Sequence, residues 1–385
     1  MTDSKTALVL GGGVGGLVAA NRLRTVLPTH HRVVLVDRER QHLFQPSLLW
    51  LAVGDRSAGD IQRPLAQLAR KGVDVRIGSI DRIDTATRTV RVDGEDLAGD
   101  AIIIALGADL APETIPGLAV SGHNLYTLAG ASAFRDALHA FTAGRIVVLT
   151  ATPAYKCPAA PYEAAMLIEA ALRQRGTRDR AQIDLYAAEP GPMGVTGPIL
   201  SGQVRGAVES KGIGYHPEHQ VTAVDAAARR LTFANGATAD FDLLLYVPPH
   251  RAPAVVREAG LTAASGWVAA HRQTFETAAA GVYAIGDVTG IPLAMGKPLP
   301  KAGVFAHKQA EVVADNIASL WAGRDARRTF DGTGACFVET GDGRAGYGAG
   351  NFYAEPTPQV RFHAPARRWH WGKLWFERHW LRRWL

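Results

Sequence analysis

Short, unbroken apolar runs punctuated by small residues recur along this chain. Thr6–Leu10 runs into Gly11-Gly12-Gly13-Val14-Gly15-Gly16, Leu17 to Leu27 has helical character, and Val33-Val34-Leu35-Val36 closes on Asp37. Brief continuous runs bounded by turn residues predict strands buried on both faces. The order strand, glycine turn, helix, strand, acid predicts a dinucleotide-binding unit. In the G-x-G-x-x-G of Gly11, Gly13 and Gly16, the outer glycines allow a tight turn and close helix packing. The middle one lets a pyrophosphate reach the backbone, where the helix N-terminus supplies free N–H groups. Asp37 stands about twenty residues past Gly16, where a ribose diol would be held.

Val90–Val92 alternates and predicts a hairpin, and Ala101–Ala108 reads as a buried strand ending in a small-residue turn. A second unit starts at Arg145, with strand Ile146–Leu149 and a helix over about Tyr162–Gln174. Between them stands Thr150–Pro161, with three prolines and no glycine. A pyrophosphate cannot approach that backbone as it does in the first unit, so a nicotinamide dinucleotide is not expected there. The runs Ile183–Ala187, Leu243–Val247 and Gly281–Asp287 continue the rhythm. The fold class is α/β, with two Rossmann-like three-layer domains.

Composition agrees: 385 residues, 47% hydrophobic and 20% charged, exclude disorder and allow a large core. Cys157 and Cys336 are the only cysteines and neither lies in a C-x-x-C, so no disulfide scaffold and no metal site is expected. The residues before Gly11 are too weakly apolar for a signal peptide, and no run is long enough to span a bilayer; a reducing, cytosolic setting is expected. The net charge of +6 is concentrated after residue 360, where Arg361, Arg367, Arg368, Lys373, Arg378, Arg382 and Arg383 oppose Glu377 alone. There Phe376, Trp380 and Trp384 fall at i, i+4 and i+8 beside Leu381 and Leu385, with Arg378, His379, Arg382 and Arg383 opposite. That pattern predicts an interfacial helix docking the protein peripherally on the cytoplasmic side of a membrane. The rest of the chain is neutral overall, which argues against nucleic acid as a partner.

The glycine motif, the A-L-G-A of Ala105–Ala108 and the V-Y-A-I-G-D of Val282–Asp287 together resemble the two-dinucleotide-domain flavoproteins. The resemblance implies FAD in the first unit, with Gly11, Gly13, Val14, Gly15, Gly16, Asp37, Arg38, Pro46, Ala105 and Gly107 among its contacts. It adds Gly286 and Asp287, expected at a helix N-terminus. Within that superfamily, Lys156-Cys157-Pro158 before Pro161-Tyr162-Glu163, the pair Cys336-Phe337 and Pro300–Phe305 resemble the sulfide:quinone oxidoreductases. The flavin subunits of flavocytochrome c sulfide dehydrogenase share much of this pattern. The segment Lys373–Leu381 looks like the membrane-facing end of the quinone-reducing branch. Many members carry a third cysteine upstream of the position matching Cys157, and this chain has none.

The resemblance implies hydrosulfide as substrate, Cys157 and Cys336 as the redox pair, Glu163 as a nearby acid or base, and Lys301 and Ala302 beside the flavin's pyrimidine edge. It also implies a membrane quinone as acceptor, for which Phe337, Phe305 and Tyr347, with Phe352 and Phe362, are aromatics suited to a flat slot. Cys157 lies before a helix and next to Lys156, a setting expected to favour its thiolate. The expected division is 1–110 and 251–325 for the FAD-binding domain, 111–250 for a second domain with a degenerate nucleotide site, and 326–385 for a quinone-site and membrane-associating region. A homo-oligomer is left open. The rival readings are a type II NADH:quinone oxidoreductase, a cytochrome-paired flavin subunit, and a non-catalytic redox sensor with a regulatory disulfide.

Overall fold

The first apolar runs form the middle of a five-stranded parallel sheet in the computed structural model, which describes residues 4–325 and 327–385. Thr6–Leu10 lies between Arg32–Asp37 and Ala101–Ile104, with Asp74–Ile77 and Val282–Ala284 at the edges. The last strand comes from far along the chain, so this unit is assembled from two separated stretches. A second parallel sheet repeats the plan: Gly144–Thr150 lies between Ala181–Ala187 and Leu243–Val247, with Gly214–His216 and His123–Asn124 outside. Strands covered on both faces need unbroken apolar sequence. Ala7–Leu10 and Ile146–Leu149 are accordingly closed to solvent along their whole length.

The glycine turn leads into the helix Val14–Val26, which packs against the helix Gly303–Trp321. The helix Ala160–Gln174 is buried nearly all round, covered by the second sheet on one side and by the strand Thr333–Gly341 on the other. The alternating segment becomes Thr89–Val92, the middle of an antiparallel sheet with Ile80–Asp84 and Glu95–Ala98. Another antiparallel sheet, Thr333–Gly341, Arg344–Asn351 and Gln359–Ala366, delivers the chain into the last helix, Arg367–Trp384.

One expectation is refined and one corrected. Gly286 and Asp287 do start a helix, but only a single 3-10 turn, Gly286–Val288; the long helix starts at Gly303. The intervening Gly290, Pro292, Gly296, Pro298 and Pro300 remove N–H donors and loosen the backbone, which stops a helix from propagating. In the last helix, Trp380, Leu381 and Trp384, expected at a membrane, turn inward instead, while Phe376 stays outside. Trp380, Leu381 and Trp384 are only 3%, 3% and 8% exposed, and Trp380 packs on His42 and Phe44 with ring centroids at 5.1 and 5.2 Å. An amphipathic period identifies a face that leaves water but does not say whether a bilayer or the protein's own core receives it. The aromatics left outside are Trp371, Trp375 and Phe376, at 66%, 65% and 41%. No helix among the described residues is long and apolar enough to cross a membrane.

Candidate active site

The first unit has the geometry of a dinucleotide cradle. A Cβ on Gly16 would fall 1.7 Å from the Gly11 carbonyl oxygen, so only glycine lets the helix start this close to the strand. A Cβ on Gly13 would meet nothing within 4 Å, and the helix that Gly13 begins has no side-chain cap. Its first N–H groups are therefore available to a phosphate. Asp37 ends the neighbouring strand with its carboxylate at the turn, accepting from the Gly12 N–H and, at 2.7 Å, from the Glu39 N–H. These residues fit FAD: the Gly11–Gly16 turn and Val14 for the pyrophosphate, Asp37 for the ribose. Ala105 and Gly107 follow the adjacent strand, partly open. Arg38 is exposed beside Glu39.

Pro46 stands in a 3-10 turn, Gln45–Ser47, that links three parts of the site. Gln45 accepts from Lys156 Nζ at 2.8 Å, and Ser47 Oγ donates to Glu377 Oε1 on the last helix at 2.5 Å. Lys301 precedes the uncapped helix that starts after Ala302. Its carbonyl accepts the Cys157 N–H at 2.7 Å, while its ammonium donates to the carbonyls of Asp287 and Thr289 at 2.7 and 2.8 Å and lies over the Trp267 ring. Burial, opposed by Asp287, lowers the Lys301 pKa to about 8. Lys301 thus ties the Gly286–Thr289 turn to the Cys157 loop.

Both cysteines are free thiols, and they come from separate parts of the fold. They sit in one electrostatic neighbourhood: a charge on Cys336 raises the Cys157 pKa, Glu163 raises both, and Lys373 lowers both. The expected thiolate at Cys157 is not what this setting favours. Burial among protein atoms pushes Cys157 well above its ordinary value, outweighing the helix N-terminus. Cys336 is exposed on its strand, and the Glu163 carboxylate adds to what keeps its pKa raised. Glu163 is 2% exposed rather than a solvated first-turn residue. Its Oε1 accepts from Lys373 Nζ and from the Glu339 N–H, both at 2.8 Å. Burial raises its pKa against the pull of Lys373.

The sequence reading missed Lys373, Glu339 and His370 as parts of this site. Glu339 is 1% exposed, with His370 Nδ1 at 3.0 Å and Lys373 Nζ at 4.0 Å. Lys373 also lies over Trp50, 4.9 Å from the ring centroid. Burial alone would lower the Lys373 pKa, but Glu163 and Glu339 raise it overall. Glu377, one turn on, takes a two-pronged contact from Arg56, 2.7 Å at the closest. The signal was present: His370, Lys373 and Glu377 at i, i+3 and i+7 share one helix face with the buried Trp380 and Trp384.

Of the aromatics, Phe305 is corrected to core. It is 3% exposed and packed on Phe330 and Phe352, and Phe352 is itself buried. Phe337 and Tyr347 pair across adjacent strands at 5.1 Å, next to Cys336 and half-open. Trp369 stacks on Tyr347 at 4.7 Å, and His363 completes the group. Phe362 packs over Gly346. In the second unit, Tyr155 of the glycine-free loop and Tyr162 at the start of the following helix are turned inward, at 6% and 0% exposure.

A parallel-sheet unit with an open glycine turn, joined to a second parallel-sheet unit, defines the class of two-domain flavin-type oxidoreductases. Residues 5–310 match the pyridine nucleotide-disulphide oxidoreductase family, and the chain belongs to it; it is an FAD-dependent enzyme. It is similar to the sulfide-quinone reductase of Aquifex aeolicus, 26% identical over 98% of this chain and 90% of that protein. It is also similar to the mitochondrial sulfide:quinone oxidoreductase of Mus musculus, 23% identical over 92% and 80%. The crystal structure of the sulfide:quinone oxidoreductase from Aquifex aeolicus shares the fold, with a TM-score of 0.89, 24% identity, and coverage of 99% of this chain and 91% of that one. The resemblance read from the cysteine and glycine motifs agrees with these matches.

Proposed function

We propose that this enzyme oxidises hydrosulfide at Cys157 and Cys336 and passes the electron pair through FAD to a membrane quinone. The observation that carries the reading is that the helix after Cys157 and the strand of Cys336 are joined at Glu163, which accepts from Lys373 and from the Glu339 N–H, so that both thiols share one electrostatic neighbourhood. The named relatives and the glycine-free loop of the second unit support it.

In the oxidised state, hydrosulfide attacks a Cys157–Cys336 disulfide, forming one S–S bond and breaking another. One cysteine becomes a persulfide and the other a thiolate. The outer sulfur then passes to a second hydrosulfide or a small thiolate, leaving two thiolates. Closing the disulfide from these releases two electrons. FAD held by the Gly11–Gly16 turn and Asp37 would supply the acceptor for that electron pair and its path to quinone, whose reduction consumes two protons. Both thiols resist ionisation in this setting, so two thiolates side by side need help. Lys373 supplies positive charge that lowers both, and Glu163, held back from ionising by burial, holds or releases a proton beside them.

Phe337, Tyr347, His363 and Trp369 form a slot for the quinone ring. The Trp369 indole N–H is buried without a partner and offers a donor to a quinone oxygen. Trp371, Trp375 and Phe376, flanked by the exposed Arg367, Arg368, Arg378 and Arg382, form the surface that meets the lipid headgroups. The glycine-free loop of the second unit, with Tyr155 and Tyr162 buried, disfavours the NADH-dependent reading. Steady reduction of a soluble quinone by hydrosulfide, with sulfane sulfur formed one for one, is the expected result with FAD-loaded protein; no turnover overturns the proposal.

A further inference from the structure

Glu189 lies at the same end of the second parallel sheet as Asp37 does of the first. It lies just beyond the strand Ala181–Ala187, which pairs with the central strand Gly144–Thr150 as Arg32–Asp37 pairs with Thr6–Leu10. Asp37 faces a cradle open at Gly13; Glu189 has turned inward and is 9% exposed. Its carboxylate accepts three hydroxyl groups: Thr150 Oγ1 at 2.8 Å, Tyr155 OH at 2.5 Å and Tyr162 OH at 2.7 Å. The Ala188 N–H donates to Thr150 Oγ1 at 3.1 Å and closes the knot.

These donors stand at the start, the middle and the end of the segment that presents Cys157. Cys157 itself has φ +50, a left-handed conformation that a residue with a Cβ holds only when its surroundings over-determine it. On the far side the loop is fixed by the Cys157 N–H on the Lys301 carbonyl and by the Tyr126 hydroxyl on the Lys156 carbonyl. The near side is fixed by Glu189. We infer that Glu189 is a positioning residue, an acid at the carboxyl end of the second parallel sheet that binds the chain's own tyrosines. Doing so, it holds Cys157 in place. The role of Cys157 rests on the function proposed above; its placement by Glu189 does not.

The test is the alkylation of Cys157 by iodoacetamide in full-length, FAD-loaded Cys336→Ser protein, followed by mass spectrometry across pH. Glu189→Gln is expected to free the loop, speed Cys157 alkylation about tenfold and move its pH midpoint down toward that of an ordinary thiol. Glu189→Asp, which keeps the charge, is expected to restore most of the protection. Cys336, read in a Cys157→Ser background, should be unaffected. An unchanged Cys157 rate and midpoint in Glu189→Gln, or an equal rise at both cysteines, overturns the assignment. Should that variant fail to fold, Tyr155→Phe removes one donor and must raise the Cys157 rate in the same direction; no change there overturns it equally. Neither hydrosulfide nor quinone enters the experiment, so its failure is separable from failure of the proposed activity.

Discussion

Lys373 Nζ donates to Glu163 Oε1 at 2.8 Å across 210 residues of sequence, with the lysine 7% exposed and the glutamate 2%. The contact fastens the last helix to the first turn of the helix that follows Cys157. Taking two charges out of water is unfavourable, and the pair persists because each charge answers the other and the Glu339 N–H and carboxylate serve both. Removing one partner leaves the other buried and uncompensated. Lys373→Met should therefore cost about 3–5 kcal/mol in urea unfolding and abolish quinone reduction. Adding Glu163→Gln should recover much of the stability but none of the activity. Additive losses of stability would show that the two residues do not act as a pair.

The same carboxylate sets the thiols. Cys336 is exposed, and the Glu163 charge helps keep its pKa raised, so alkylation of the reduced protein should have its midpoint above that of an ordinary cysteine. Glu163→Gln removes that upward influence and should move the midpoint down. A midpoint that stays put would separate Glu163 from the sulfur chemistry.

Part of this was legible in the sequence and part was not. Buried parallel strands announce themselves as unbroken apolar runs, so Thr6–Leu10, Ala101–Ile104 and Gly144–Thr150 and their glycine or proline turns were readable directly. Cys157, Cys336 and Glu163 stood out through their local motifs. Lys373 did not, because a lysine in a basic, aromatic helix reads as solvated until the helix is docked and its facing carboxylate appears. The face of Trp380 and Trp384 was found but given the wrong destination, since periodicity carries no information about what covers a face. Glu189 was missed because its three hydroxyl partners are scattered and no motif joins them.

The corrected helix orientation separates two kinds of tryptophan. Changing Trp371, Trp375 and Phe376 together to serine should release the protein from vesicles containing anionic lipid while leaving its melting temperature nearly unchanged. Trp380→Ala should do the reverse, keeping vesicle binding and losing about 3–5 kcal/mol of stability from the cavity it leaves. Co-sedimentation of the serine variant with vesicles would refute the proposed lipid-facing surface.

His42 gives the fold an acid-sensitive point. Its Nδ1 holds the Gly12 carbonyl at 2.8 Å, its ring is buried by Trp380, and its Nε2 has no partner. Burial lowers its pKa to about 4, so from about 6.5 down to 4 the unfolded chain carries a proton that the folded one lacks. Stability is complete above that window and falls as pH drops through it, by about 3 kcal/mol in full. His250, lowered to about 3 by burial, acts in the same sense. His42→Gln should reduce, without removing, the loss of urea stability between about pH 7.5 and about pH 5. An unaltered pH slope would contradict the assignment to His42.

The central claim is that electrons enter from hydrosulfide through the two cysteines, and anaerobic flavin absorbance tests it most directly. FAD-loaded protein mixed with low-micromolar hydrosulfide should bleach and regain its colour when quinone is added. NADH should leave it yellow, and Cys157→Ser and Cys336→Ser should keep FAD yet fail to bleach with hydrosulfide. Bleaching by NADH, or undiminished bleaching by hydrosulfide in both variants, would contradict the account.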